Sequence, residues 1–175
     1  MGDPERDAPA FVVQKHQAST LHFDLRLEVD GVLVSWAVPK GPSTDPAVKR
    51  LAVRVDDHAM SHLDVEGVLG AGPGAGTVVV WDLGTYRDDT RRDGRTVPTA
   101  DALEAGHVRV RLEGRRLHGA WALTHTRMGG LERNWLLVKV DDDGADRDRD
   151  LVADEPGSVL TGRTNDDLAR GVDAV

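Results

Sequence analysis

The 175-residue chain has no cysteine, so neither a disulfide framework nor a zinc–thiolate site is available to it. It also has no apolar run long enough for a membrane span or a secretory hydrophobic core, and a cytoplasmic, nucleoid-associated location is the expectation. Lysine is scarce: 4 residues against 18 arginines, a bias toward planar, forked donors that suit phosphate. An excess of positive charge is missing as well, the formal net charge being −8, which argues against a broad nucleic-acid-binding surface. The acidity is local, however. Residues 141–175 hold 11 acidic and 4 basic residues, whereas residues 1–140 hold 19 and 18, so the body is close to neutral and any nucleic-acid contact is expected to be confined, as at an end. No internal repeat is present, and the length suits one domain with a core that needs no staples.

What is present begins at Gln14. From His22 onward polar residues recur at every second position, so His22, Asp24, Arg26 and Glu28 share one strand face, while Leu21, Phe23, Leu25, Leu27 and Val29 share the other. Asp30-Gly31 follows, a dipeptide that tolerates the two positive φ angles of a type I′ turn, and Val32–Val38 then returns. That turn fixes a register. Val29 pairs with Val32, Leu27 with Val34 and Leu25 with Trp36 on the apolar side, while Arg26 faces Ser35 and Asp24 faces Ala37 on the polar side. Small residues opposite the ligand types leave room for an ion and a substrate.

Further strands are expected over Arg50–Asp56, Thr77–Trp81, His107–Glu113, Leu117–Leu123 and Asn134–Val140. Short, turn-separated runs of this kind form one antiparallel barrel or a strongly curved sheet. Helix is minor: Thr99 is expected to cap Ala100–Ala105, and Thr164 with Asp167 to cap Asn165–Arg170. Residues 141–150 read as a solvated segment, and 67–76 as a glycine-rich loop that lacks the Gly-Lys-Ser/Thr of a phosphate-binding P-loop. The expected organisation is a barrel domain over residues 1–140, followed by an acidic linker and short helix over 141–175.

Two histidines and a carboxylate, His16, His22 and Asp24, suit a borderline divalent cation such as Mn²⁺, Fe²⁺ or Zn²⁺ with open positions for water or a phosphate oxygen. Arg26 beside them is a fork for two phosphate oxygens. A second cluster, Asp56-Asp57-His58-Ala59-Met60-Ser61-His62, follows a strand; there His58 could protonate a leaving oxygen or bond a phosphate, and the plainer reading is a capping Asp57 with two exposed histidines. Lys40 and Arg50, at strand ends on the same rim, are further candidates for phosphate contact.

Taken together, His16–Glu28, Val34-Ser35-Trp36-Ala37-Val38-Pro39-Lys40-Gly41-Pro42, Lys49–Val53, Asp57-His58 and Gly74–Asp82 closely resemble the 3′-phosphoesterase domain of bacterial DNA ligase D. Trp135–Lys139 and Ser158–Thr164 resemble that domain and its downstream linker. The resemblance implies a compact β-barrel with short flanking helices. It also implies a manganese-dependent enzyme that removes a terminal ribonucleoside and then the 3′-phosphate from a primer end, leaving a 3′-OH for break repair. On this chain His16, His22 and Asp24 match the metal ligands; Arg26, Lys40, Arg50 and His58 match phosphate-contacting or catalytic positions; Gln14 matches a supporting one. His62 stands where the family usually has a phosphate-contacting tyrosine, Asp56 replaces a glutamate, the glycine loop lacks Pro-Glu-Gly-x-Tyr, and the stretch before Phe11 lacks a clear Arg-Asp match. The partners implied are DNA or RNA-tipped DNA 3′ ends, with a separate ligase, polymerase or Ku-type end-binding protein, and no membrane.

Two other readings come from different classes. A module that binds ends or repair partners without turnover fits the missing tyrosine. An iron and 2-oxo acid oxygenase fits His22 and Asp24 with a distant histidine, Arg127 holding the 2-oxo acid.

Overall fold

The computed structural model describes residues 8–70, 75–126 and 132–171. Eight antiparallel strands close into a barrel: β1 (Ala10–Gln17), β2 (Leu21–Val29), β3 (Val32–Val38), β4 (Arg50–Ala59), β11 (Asn134–Lys139), β10 (His118–His125), β9 (His107–Gly114) and β6 (Gly76–Asp88), the last pairing back onto β1. A short β5 (Gly67–Leu69) adds to β6, so the first residues of the expected glycine loop are strand, while 71–74 lie outside the described residues. Strands β7 (Thr90–Arg92) and β8 (Arg95–Val97) form a separate hairpin. Its Asp93-Gly94 turn has both φ angles positive, yet arms of three residues are too short to show an alternating pattern.

The hairpin of β2 and β3 has the register that the Asp30-Gly31 turn dictates. Val29 is opposite Val32, Leu27 opposite Val34, Leu25 opposite Trp36, Arg26 opposite Ser35 and Asp24 opposite Ala37, with φ of 51° and 84° at the turn. Alternation then fills the barrel from every strand. Phe11, Val13, Phe23, Leu25, Leu27, Trp36, Trp81, Tyr86, Trp121 and Trp135 form one buried cluster. All seven aromatic side chains of the protein are buried in it, none more than 5% exposed. Rings of this size dominate core energetics, and the edge-on pairs Phe23–Trp81 and Trp36–Trp135 are the preferred geometry.

Among the described residues three α-helices flank the barrel: α1 (Thr99–Ala105), α2 (Leu151–Asp154) and α3 (Asn165–Ala169). Thr99 is the first helical residue of α1 rather than its cap, because its hydroxyl donates instead to the Asp88 carboxylate; Pro98 takes the cap position. Gly106 closes α1 with φ of 83°, as expected of a left-handed C-cap. Thr164 and Asp167 form the reciprocal capping box of α3, and Arg170 is its C-cap.

Residues 141–171 do not stand off in solvent. Asp142 accepts from the backbone N–H of Ala120 and Gly144 and from the fully buried Lys139 ammonium, and Asp146 N–H donates to Thr44 O. Burial by itself would raise the Asp142 carboxyl, but these donors outweigh it and hold it below the usual carboxylate range. Further on, Trp81 Nε1 donates to Glu155 O, Val159 N–H to Val80 O, and Asn165 Nδ2 to Lys15 O and Thr77 O. Most side chains of 141–150 are exposed, as a solvated segment requires, but its backbone is tied down at Asp142 and Asp146 by partners from distant strands, which charge composition does not reveal.

Candidate active site

The polar side of β2 lies on the outer surface of the barrel, since Phe23, Leu25 and Leu27 occupy the inner one. Antiparallel pairing sets Gln14 of β1 opposite Asp24 and His16 opposite His22, so four polar side chains from two strands meet on this outer face. Ser35 of β3 completes it from the other flank, opposite Arg26.

His58 reaches the same face by an irregularity. Ser35 pairs with Val55 and Leu33 with His58, so two steps along β3 match three along β4. The extra residue is a β-bulge, and it reverses the alternation: Val53 and Val55 share the outer face before it and His58 after it. Without the bulge His58 would point with Ala52 and Arg54 toward the inner side. The strand continues through His58 to Ala59, so Asp57 caps no helix, and a 3₁₀ turn over Met60–His62 comes next.

One oxygen of Asp24 is the hub of the site. It lies 3.2 Å from His22 Nε2, 3.9 Å from His16 Nδ1 and 3.6 Å from the Arg26 guanidinium. One donor atom from each of His16, His22 and Asp24 falls within 4.8 Å of the others, close enough for one cation to draw on all three. The donor set, two imidazoles and a carboxylate, is that of a borderline divalent metal. The hydrogen bond to Asp24 raises the His22 imidazole above its ordinary value, so a cation taking that nitrogen would displace a proton.

Arg26 is 7% exposed and uses its whole fork: Nε donates to Gln14 Oε1 at 2.8 Å, one terminal nitrogen donates to Ser35 Oγ at 2.9 Å and lies 3.1 Å from His58 Nδ1, and the other faces Asp24. Gln14, 2% exposed, turns its amide nitrogen to the carbonyls of His62 and Val65. Burial and the neighbouring Arg26 charge push the His58 imidazole below its ordinary value, favouring the neutral ring. Its Nδ1 is also 2.9 Å from Asp56 O, and a neutral ring makes only one of the two bonds at a time. With the proton on Nδ1 it donates to Asp56 O; with Arg26 donating to Nδ1, the proton sits on Nε2, the nitrogen free for a substrate. Asp56 therefore meets the site through its main-chain carbonyl, while its side chain is exposed.

His62 stacks edge-on against His58, ring centroids 4.9 Å apart, and is exposed. Lys40 lies in the turn after β3 and Arg50 opens β4, both at the barrel end where β2 begins with Leu21 and His22. Lys40 is exposed there. Arg50 falls on the Ala52 side of β4 rather than the outer face, and its Nε is buried with no hydrogen-bond partner among the described residues. Asp82, the end of the Gly74–Asp82 motif, is structural: its fully buried carboxylate accepts from the N–H groups of Arg115, Arg116 and Leu117. Ser35 takes part in holding Arg26, and its sequence signal is its place opposite that residue.

The domain profile described as DNA Ligase D 3′-phosphoesterase domain matches residues 14–125, the span that carries every one of these side chains. The chain belongs to the DNA ligase D 3′-phosphoesterase domain family. Among curated relatives, the multifunctional non-homologous end joining protein LigD of Pseudomonas aeruginosa is 47% identical over 169 residues, covering 92% of this chain and 19% of the relative. The multifunctional non-homologous end joining DNA repair protein LigD of Mycobacterium tuberculosis is 43% identical over 121 residues, 69% of this chain and 15% of the relative. The chain thus spans about a fifth or less of the proteins it matches. Membership in a phosphoesterase family displaces the oxygenase reading, and Arg127, on which that reading leaned, lies outside the described residues.

Proposed function

We propose that this protein is a divalent-metal-dependent phosphoesterase that processes DNA 3′ ends, removing a terminal ribonucleoside, a 3′-phosphate or both, to leave a 3′-OH for end joining. The observation that carries this is the contact chain from His16, His22 and Asp24 through buried Arg26 to His58 on the outer barrel face. A cation held by the three ligands, Mn²⁺ in preference, would supply positive charge to phosphoryl oxygens as charge develops on them.

The protein's own residues do the rest. Arg26 is locked by Gln14 and Ser35, so its charge needs no reorganisation to meet a phosphate. A phosphate beside Arg26 offsets part of what disfavours the His58 cation, so the ring can carry a proton and give it from Nε2 to the leaving oxygen. When a 3′-phosphate is removed, water forms the new bond to phosphorus as the bond to the 3′ oxygen breaks; for a terminal ribonucleoside the leaving oxygen is its 5′ oxygen. His62, next to His58, offers a second donor to the phosphate where the family has tyrosine. Lys40 and Arg50 add positive charge at the His22 end of the barrel. With all seven Phe, Tyr and Trp side chains buried, these aromatics offer no platform for base stacking, which favours recognition of the phosphate rather than the base. Ends of duplex DNA, some tipped with RNA, are the proposed substrates. A separate ligase, polymerase or Ku-type protein is the proposed partner, and the nucleoid the proposed place of action.

The test is an end-labelled primer–template carrying a single 3′ ribonucleotide or a 3′-phosphate, incubated with protein and Mn²⁺ beside a His22→Ala control. Conversion of either end to 3′-OH by the wild type alone supports the reading. End binding without product in both would replace it with a non-catalytic end-binding module.

A further inference from the structure

The connection from Met60 to Glu66 covers the outer face and carries His62. Gln14 holds its middle through the His62 and Val65 carbonyls. Its far end is held by Glu66, whose side chain is 7% exposed although it lies outside every motif of the site. One Glu66 oxygen accepts the Val80 N–H of β6 at 2.8 Å; the other accepts the Thr161 hydroxyl at 2.6 Å and lies 4.0 Å from the Arg163 guanidinium. Thr161 and Arg163 belong to the segment after α2, which is itself fixed to the barrel by Val159 N–H on Val80 O and by buried Asn165 on Lys15 and Thr77. A continuous set of hydrogen bonds therefore runs from residues 159–165 through Glu66 and the 60–66 connection to Gln14, and from Gln14 to Arg26.

We propose that Glu66 is a positioning residue for the phosphate-contacting pair His58 and His62, and that residues 159–165 are part of the active-site unit because they hold Glu66 in place. The proposal rests on the phosphoesterase reading for what the two histidines contact, though not for the clamp itself. Buried hydrogen bonds to a carboxylate are among the stronger ones, and removing them loosens a segment otherwise held by Gln14 at its middle and by the β5–β6 pairing just beyond it. The side chains that bind the cation belong to β1 and β2 and do not depend on this clamp.

Two variants test it, Glu66→Ala and the milder Thr161→Val, with Glu66→Gln as the conservative control that keeps an acceptor for Val80. Amide hydrogen exchange over residues 60–66 should quicken in Thr161→Val and more in Glu66→Ala. KM for a 3′-phosphate end should rise about tenfold in Glu66→Ala and be partly restored in Glu66→Gln, while the Mn²⁺ concentration for half-maximal activity stays within about twofold. Unchanged exchange over 60–66 in both variants overturns the proposal, as does quickened exchange with wild-type KM and kcat. If the wild type processes no end, the phosphoesterase reading fails by itself. Exchange and the affinity for a fluorescent 3′-phosphate oligonucleotide then decide the clamp, unchanged values overturning it and faster exchange with weaker binding upholding it.

Discussion

The two faces of β2 follow opposite rules within nine residues. Inward, Phe23, Leu25 and Leu27 meet apolar neighbours and contribute stability in proportion to the area they bury. Outward, Asp24 and Arg26 are almost as thoroughly buried, at 7% exposure each, yet what surrounds them is polar and charged. Desolvating charges is costly even when they are paired, so the outer face spends stability that the inner face supplies. The lesson is that burial alone does not tell core from site. What separates them is the chemistry of the neighbours: apolar side chains around Trp36 and Leu27, but imidazole, carboxylate and guanidinium groups gathered around one Asp24 oxygen.

Breaking that contrast on the inner side should have the largest effect. Trp36→Ala, fully buried in the core, should lower unfolding stability by about 3–5 kcal/mol in denaturant melts, since the barrel cannot collapse around so large a void. On the outer side Asp24→Asn removes the carboxylate beside buried Arg26 and should lower the stability of the metal-free protein by about 1–3 kcal/mol, leaving it folded. Its rate of end processing should nonetheless fall about a thousandfold, the scale expected for losing charge stabilisation worth several kcal/mol.

Lys139 is the exception on the inner side, a fully buried ammonium beside Asp142. Asp142→Asn should cost about 3 kcal/mol at neutral pH because it leaves that charge poorly compensated. The Asp142 carboxyl is held below its ordinary value, so its contribution is present above about pH 4 and is lost as the pH falls through the folded-state value. The stability gap between wild type and Asp142→Asn, followed by circular dichroism against pH, should therefore close in acid. A gap that persists at low pH would mean that shape rather than charge holds Lys139.

Mn²⁺ should raise the stability of the wild type by about 2.7 kcal/mol at a hundredfold excess over its dissociation constant, and leave His22→Ala unmoved. The smallest effect sharpens the contrast. Ser35→Ala removes the hydroxyl that takes a hydrogen from Arg26, and should reduce stability by about 1 kcal/mol and end processing by a few-fold, read in the same assays.

Much of this site can be read without coordinates, and the reason is period. A strand that alternates strictly, ended by a turn with only one comfortable geometry, fixes both the face and the cross-strand partners of His22, Asp24 and Arg26, and the observed register agrees at each position. His16 and Gln14 follow once β1 pairs with β2. His58 lies beyond such reasoning about faces, because a single inserted residue in β4 reverses the alternation that sequence would extrapolate. Arg50 is the converse case: regular alternation from Ala52 turns it away from the outer face. Asp56 meets His58 through its main-chain carbonyl, a group any residue could supply.

The sequence by itself determined most of the barrel strands, though not the short β5, β7 and β8, together with the inner and outer faces of the first hairpin and the metal-type donors on the outer one, because alternation and turn chemistry are local properties of the chain. Only the tertiary structure decided that the acidic segment after β11 packs on the barrel, that the 60–66 connection lies over the outer face, and that Glu66 links the two. Those contacts join residues up to 150 positions apart, and no local pattern encodes a partner that distant.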